Sequence, residues 1–262
     1  MQTNDSAVNE KLILVTGAAR RIGRILALAA ARAGADVIIH YGTSKDQADE
    51  TKKEIASLGR KAWTIQADLS QADEVANLIS QAGKIGVLHA LINSAAIFEP
   101  LTLQDTKLAD WERHLAINLT APFLLSQAFA KQFFASAQGG VLAAEDGGES
   151  NNEIGHIVNI LDWRALRPGA DHFPYTVSKA ALAAMTKSLA VSLAPNITVN
   201  GLALGAVLPP SDRPVSEDFL KSIPAERWSK PEELEEALIF LLTGPGYITG
   251  EIIHLDGGRH LV

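Results

Sequence analysis

The chain has 262 residues, 47% of them hydrophobic, enough apolar material for one sizeable core, and its net charge of −7 argues against a nucleic-acid binder, which needs a basic face. Zero cysteines exclude disulfides, thiolate metal sites and cysteine nucleophiles, and the seven histidines show no metal-ligand spacing, so no metal is expected. No stretch reaches the roughly 18 uninterrupted apolar residues of a membrane span. Met1 to Glu10 is polar, so neither a span nor a signal peptide is expected and the cytoplasm is the default location.

Residues 1–10 read as a loose, flexible tail. Lys11 to Val15 is a short apolar strand ending at Thr16-Gly17. Arg21 to Ala33 has helical spacing and is stopped by Gly34. Asp36 to His40 is a second strand, Ser44 to Leu58 an amphipathic helix closed by Gly59, and Ala62 to Gln66 a third strand. Asp73 to Gln81 follows as a helix, Leu88 to Ile92 as a strand, and Ala109 to Phe134 as one long helix. His156 to Leu161 is a strand, Pro174 to Leu193 a helix, and Ile197 to Leu202 and Ile252 to Leu255 the last strands.

Strands apolar on both faces, alternating with helices, predict an α/β fold: a Rossmann-type doubly wound parallel sheet with helices on both faces. No linker divides the chain, so residues 11–262 are expected to form a single domain. Gln138 to Gly155 (138–155) is Gly/Glu/Asn-rich and reads as a flexible insertion. Leu208 to Lys230 carries Pro209, Pro210, Pro214 and Pro224 after a strand, and 205–230 is expected to be a substrate-binding loop, with a plain surface loop as the alternative.

Thr16-Gly-Ala-Ala-Arg-Arg-Ile-Gly23 follows a strand and opens a helix. Gly17 permits a tight turn, Gly23 close helix–strand packing, and the free N–H groups of the helix start, with Ile22 among them, suit a pyrophosphate. Arg20 and Arg21 oppose the helix dipole, at a cost of roughly 0.3–1 kcal/mol each. An anion between them and the helix makes sense of that; the alternative is two arginines in water. The second strand ends His40-Tyr41-Gly42-Thr43-Ser44, with no acid to accept from a ribose 2′-OH. Arg20 with Thr43 and Ser44 suits a 2′-phosphate, so NADP(H) is expected over NAD(H). Asp68-Leu69 sits where a carboxylate can accept from an adenine amine; the alternative is the cap region of the next helix.

Tyr175 and Lys179 are four apart, on one face of a helix. An ammonium beside a phenol favours the phenolate and predicts a tyrosine pKa lowered toward working pH. The alternative is an ordinary pair on a solvated face. Pro122 has no N–H, so the carbonyl of Asn118 loses its helical donor and becomes a water site, or merely marks a kink.

With Thr16-Gly17…Gly23, Asp68, Asn93-Ser94-Ala95-Ala96, Asn118, Tyr175-x-x-x-Lys179 and Leu255-Asp-Gly-Gly258, the chain resembles a short-chain dehydrogenase/reductase over almost its whole length. The resemblance implies that Tyr175 is the general acid, that Lys179 lowers its pKa and holds the nicotinamide ribose, and that Asn118 anchors a water in a proton relay. It implies that Asn93, Ser94 and Ala95 line the cofactor, with Gly205 and Val207 in the nicotinamide loop. Leu204 stands where many members have proline. Three departures matter: Arg21 replaces the middle glycine, Asn93-Ser-Ala-Ala96 replaces Asn-Asn-Ala-Gly, and Asp162 replaces the usual serine. An ionised Asp162 opposes phenolate formation, and it is useful if protonated or if the substrate offers a donor.

These departures are similar to the pteridine reductase subfamily, including the dihydromonapterin/dihydrofolate reductase type. That group shares the aspartate, the His-Tyr ending strand two and the Leu-Asp-Gly-Gly-Arg-His-Leu ending, here Leu255 to Leu261. By resemblance Phe98 stacks a pterin on the nicotinamide, Arg21 reaches both phosphate and pterin, and Asp162 and Tyr175 supply the proton. Ala96 stands where a serine is common. The expected activity is hydride transfer from NADPH to a small-molecule pterin. The alternatives are a carbonyl reductase acting on a 3-oxoacyl thioester or other ketone, and a non-catalytic NADP(H)-binding sensor. The resemblance also implies a homotetramer or homodimer built on the helices of Asn118 and Tyr175. Ala180, Ala181, Ala183 and Ala184 offer a small-residue surface for it, or for packing on the chain's own sheet.

Overall fold

Leu12–Val15, four apolar residues in a row, form β1, and burial on both sides is what such a run needs. Leu12 and Leu14 enter one core cluster while Ile13 and Val15 enter the other, as alternating side chains of one strand must. The structure, a computed structural model, describes residues 8–141, 154–209 and 217–262.

β1 is followed by α1 (Arg21–Arg32), β2 (Asp36–Tyr41), α2 (Lys45–Ser57), β3 (Ala62–Gln66), α3 (Ala72–Ile85) and β4 (Leu88–Asn93). Then come α4 (Leu108–Leu115), a π-helical turn (Ala116–Thr120), α5 (Ala121–Val141), β5 (Gly155–Asp162), α6 (Phe173–Leu193) and β6 (Ile197–Leu204). The chain closes with α7 (Glu217–Lys221), α8 (Pro231–Thr243) and β7 (Ile252–Leu255). The strands pair in parallel in the order β3-β2-β1-β4-β5-β6-β7, the expected doubly wound sheet. Side chains of α1, α2 and α8 fill one core cluster, and those of α3, α5 and α6 the other. Each fully buried large side chain, such as Phe129 or Leu26, contributes about 1.5–3 kcal/mol. The order reverses between β1 and β4, and a crevice opens at the carboxyl ends of the strands there, where this architecture binds ligands.

Four expectations are refined. Residues 8–10 are not loose: Val8 is fully buried and the Glu10 N–H donates to the Gly34 carbonyl, 2.9 Å. The long helix is broken into α4, the π turn and α5. Pro122 supplies no N–H to Asn118, and the Ala121 N–H reaches back five residues to the Ala116 carbonyl. α8 was not expected. Pro231 opens it, Glu233 accepts from the Lys230 N–H at 2.7 Å, and Leu234, Leu238, Leu241 and Leu242 are buried. Of the expected insertion, 138–141 belong to α5 and Gly155 to β5, while residues 142–153 lie outside the described residues. So do residues 1–7 of the tail and 210–216 of the 205–230 loop. Among the described residues no helix is long and apolar enough to cross a membrane.

Candidate active site

The turn after β1 is set by close contacts. Gly17 has φ +64°, and a Cβ on it would lie 2.9 Å from Ala95 Cα. A Cβ on Gly23 would lie 2.2 Å from the Gly17 carbonyl oxygen, so only glycine lets α1 start this close to the strand. Thr16 Oγ1 accepts from the N–H groups of Ser94 (2.9 Å) and Ala95 (3.0 Å), which fixes the β4 segment against the turn. No side chain caps α1 at Arg20, its first turn holds no acid, and residues Arg20 to Gly23 line the crevice. That fits a pyrophosphate.

Arg21 has φ +53°, the left-handed region that costs a non-glycine residue roughly 1–3 kcal/mol. This is the position where the related turn carries glycine. Its Nη2 donates across to the Pro209 carbonyl, 2.9 Å, so the strained residue spans the crevice. His40 is buried, and burial lowers its pKa, so the ring is neutral. Nδ1 accepts from the Gly17 N–H at 3.1 Å, which assigns the proton to Nε2, donating to the Ala67 carbonyl at 3.0 Å. His40 therefore braces the turn against the end of β3, and it takes the Gly17 N–H away from any ligand.

A cleft of about 960 Å³ runs over this turn. Of the residues expected to hold cofactor, Gly17, Arg20, Arg21, Ile22, Gly23, His40, Tyr41, Thr43, Ser44, Asp68, Leu69, Ser94, Ala95, Tyr175, Lys179, Gly205 and Val207 line it. The expected substrate residues Ala96, Phe98 and Asp162 line it too. Asn93 and Asn118 lie behind the wall. Asn93 donates to Asn159 Oδ1, 2.9 Å. Asn118 accepts from the Ile97 N–H (2.9 Å) and donates to the Ile97 carbonyl (3.1 Å) and Ser178 Oγ (3.0 Å). Its side chain thus braces the loop after β4 against α6. The Asp68 carboxylate accepts from the Ser70 N–H through Oδ1, 2.9 Å, a local turn that leaves Oδ2 to the cleft.

At the far end of the cleft the Tyr175 hydroxyl donates to Asp162 Oδ2, 3.1 Å. Lys179 Nζ is buried and donates to the Ile160 carbonyl, 2.6 Å; it lies 5.8 Å from the Tyr175 ring centre. The expectation that Lys179 lowers the Tyr175 pKa is overturned here. Burial first, then the charge and hydrogen bond of Asp162, push the phenol well above its usual value, with only Arg164 opposing. The cause is direction: i, i+4 spacing puts both on one face, but the ammonium reaches to β5. Burial brings Lys179 itself down to about 8, against the pull of Asp162.

Several cleft residues escaped the sequence. His172 stacks on the expected Phe98, 4.0 Å between centres at 8°, and Phe98 meets Tyr175 edge-on at 4.7 Å. Arg164 pairs with Asp171 at 2.9 Å and lies 3.5 Å from Asp162, which also caps the Arg164 N–H. Trp163, Phe219, Trp228 and Arg259 complete the wall. Only the Leu255 to Leu261 ending gave a hint, through Arg259.

A family model described as enoyl-(acyl carrier protein) reductase matches residues 17–260. The 3-oxoacyl-[acyl-carrier-protein] reductase of Synechocystis sp. is 33% identical, over 97% of this chain and 98% of that protein. Among solved structures, FolM alternative dihydrofolate reductase 1 from Brucella canis, complexed with NADP, is 33% identical with a TM-score of 0.83, covering 98% of this chain and 96% of that one. A short-chain dehydrogenase from Burkholderia cenocepacia J2315, also in complex with NADP, is 32% identical with a TM-score of 0.84, covering 97% and 99%. With the parallel sheet and the Tyr175/Lys179 pair in its cleft, these matches make the chain a member of the short-chain dehydrogenase/reductase family. It is an oxidoreductase that uses a nicotinamide cofactor.

Proposed function

We propose that this enzyme is an NADPH-dependent reductase of pterins. The observation that carries the reading is the 3.1 Å hydrogen bond from Tyr175 to Asp162, a carboxylate where a serine is usual in the family. A carboxylate here accepts from a substrate N–H or amine, which a pterin ring offers and a plain ketone does not. Arg21, bent over the cleft to Pro209, supports the same reading, as does the likeness to FolM.

The close approach at Gly17 and Gly23 and the uncapped start of α1 fit a dinucleotide. Arg20, Thr43 and Ser44 would hold its 2′-phosphate, Asp68 and Leu69 its adenine, and Lys179 its nicotinamide ribose. NADPH supplies the hydride. Tyr175, kept as O–H by its raised pKa, donates the proton to a ring nitrogen. Asp162 accepts from the substrate and orients the ring, and Phe98 stacks against it. Asn118 holds the Ile97 backbone beside the site and the α6 turn under it. Assembly as a dimer or tetramer belongs to this reading. Leu108, Phe123 and Val191, exposed on α4, α5 and α6, support it. A cytoplasmic location belongs to this reading too.

A second reading, reduction of a 3-oxoacyl thioester, is favoured by the acyl-carrier-protein reductases among the relatives. NADPH oxidation with dihydrobiopterin or dihydrofolate, beside an acetoacetyl thioester, separates the two. Asp162→Ser should lower kcat/KM for the pterin about 100-fold or more. Thioester turnover without pterin turnover, unchanged or improved by serine, would overturn the pterin reading.

A further inference from the structure

At the mouth of the cleft Arg259, just beyond β7, lies against two aromatic rings. Its Cζ is 4.5 Å from the Trp163 ring centre and 4.8 Å from that of Phe219. Trp163 directly follows Asp162, so this corner adjoins the reacting end of the cleft. Among the described residues no carboxylate pairs with Arg259 and no acceptor takes its guanidinium N–H groups, although the residue is half-buried. Arg164, beside it, is by contrast matched to Asp162 and Asp171. Arg167 adds a third guanidinium and donates to the Arg259 carbonyl, 3.3 Å. The chain as a whole is acidic, so this concentration of arginine is local.

A guanidinium held against aromatic rings keeps its in-plane N–H edge for other partners, the edge that matches a carboxylate or phosphate. The surroundings also disfavour the cation. Burial and then the Arg164 charge lower the Arg259 pKa, against a smaller pull from Asp162, Asp171 and Asp256. An oxyanion at this edge would relieve both.

We infer that Arg259, held by Trp163 and Phe219, is a specificity residue that binds an anionic group on the tail of the substrate, away from the reduced centre. The inference does not depend on which ring or ketone is reduced. The anion is an oxyanion: a carboxylate on a pterin side chain, or a phosphate on a thioester carrier.

The test compares charged and neutral tails on the same reacting group. Dihydrofolate is paired with dihydrobiopterin, and acetoacetyl-coenzyme A with the acetoacetyl thioester of N-acetylcysteamine. Arg259→Gln should lower kcat/KM for the anionic member of the productive pair about tenfold more than for its neutral partner. Arg259→Lys should keep part of the preference, and raising the salt concentration should erode it in the wild type. Calorimetric titration of NADP-loaded protein with folic acid and with coenzyme A reads the same contrast without turnover. Loss confined to the pterin pair assigns the carboxylate. Loss confined to the thioester pair assigns the phosphate; it removes the pterin reading and leaves the anion site standing. Equal effects on charged and neutral members, or none, in protein with unchanged Tm and NADPH affinity, would overturn the inference and leave Arg259 as packing.

Discussion

The Tyr175 hydroxyl donates to Asp162 Oδ2 over 3.1 Å, so the phenol on α6 and the carboxylate ending β5 act as one unit. Their positions come from separate parts of the fold. Asp162 is fixed by its pairing with Leu204 across β5 and β6 and by the Arg164 N–H it caps. Tyr175 is fixed by the first turn of α6, where Pro174 starts the helix. The unit holds its proton tightly, because burial and a neighbouring negative charge both disfavour the phenolate.

Asp162→Asn removes the charge but keeps the volume. The Tyr175 pKa should then fall, since Asp162 raises it both by charge and by hydrogen bond. Tyrosinate absorbance in a pH titration of the free protein, with Tyr175→Phe as the subtracted reference, measures this. An unmoved titration would show that burial alone sets the proton.

Lys179 has the opposite displacement. Burial lowers it to about 8, so the ammonium is lost as pH rises through that value. NADPH affinity should weaken over the same interval in the wild type, and Lys179→Met should bind more weakly with that pH dependence gone. If the variant keeps the alkaline weakening, another group is responsible.

The fold was legible because its signals are local. The inner strands β1, β2, β4, β5 and β6 are largely apolar runs that the parallel sheet buries on both faces, and Gly34 and Gly59 mark real helix ends. α8 was equally legible, with Pro231, two acids in its first turn and leucines at helical spacing, but it followed a proline-rich stretch read as loop. The π turn was half visible: Pro122 announced a defect without its form. The cleft mouth was not legible. Trp163, Phe219 and Arg259 meet only through the packing of distant segments, and spacing says nothing about that. Spacing also placed Lys179 beside Tyr175 without showing that its ammonium turns to Ile160.

Coenzyme choice should be reversible at Gly42. The end of β2 offers Thr43 and Ser44 but no acid, and a Cβ on Gly42 would meet nothing within 4 Å. Gly42→Asp thus fits without rearrangement. Its carboxylate would repel a 2′-phosphate and accept from a 2′-OH. The ratio of kcat/KM for NADPH to that for NADH should fall roughly 100-fold, the sum of a lost attraction and a gained hydrogen bond. Steady-state kinetics with both coenzymes measures it, and an unchanged ratio would place the 2′ position elsewhere in the cleft.

Replacing Arg21 should move stability and coenzyme affinity in opposite directions. At φ +53° the side chain strains the backbone, and glycine would not. Arg21→Gly should stabilise the fold by about 1 kcal/mol, less whatever the exposed bond to the Pro209 carbonyl contributes. For a chain of this size that is roughly 2–4 °C in Tm. The same change removes the guanidinium that crosses the cleft, and the KM for NADPH should rise about tenfold, the size of one charge-assisted contact to phosphate. Thermal melting and steady-state kinetics on one preparation decide it. A lower Tm would mean that the Pro209 bond outweighs the strain. An unchanged KM would mean that Arg21 spans the cleft without touching the coenzyme.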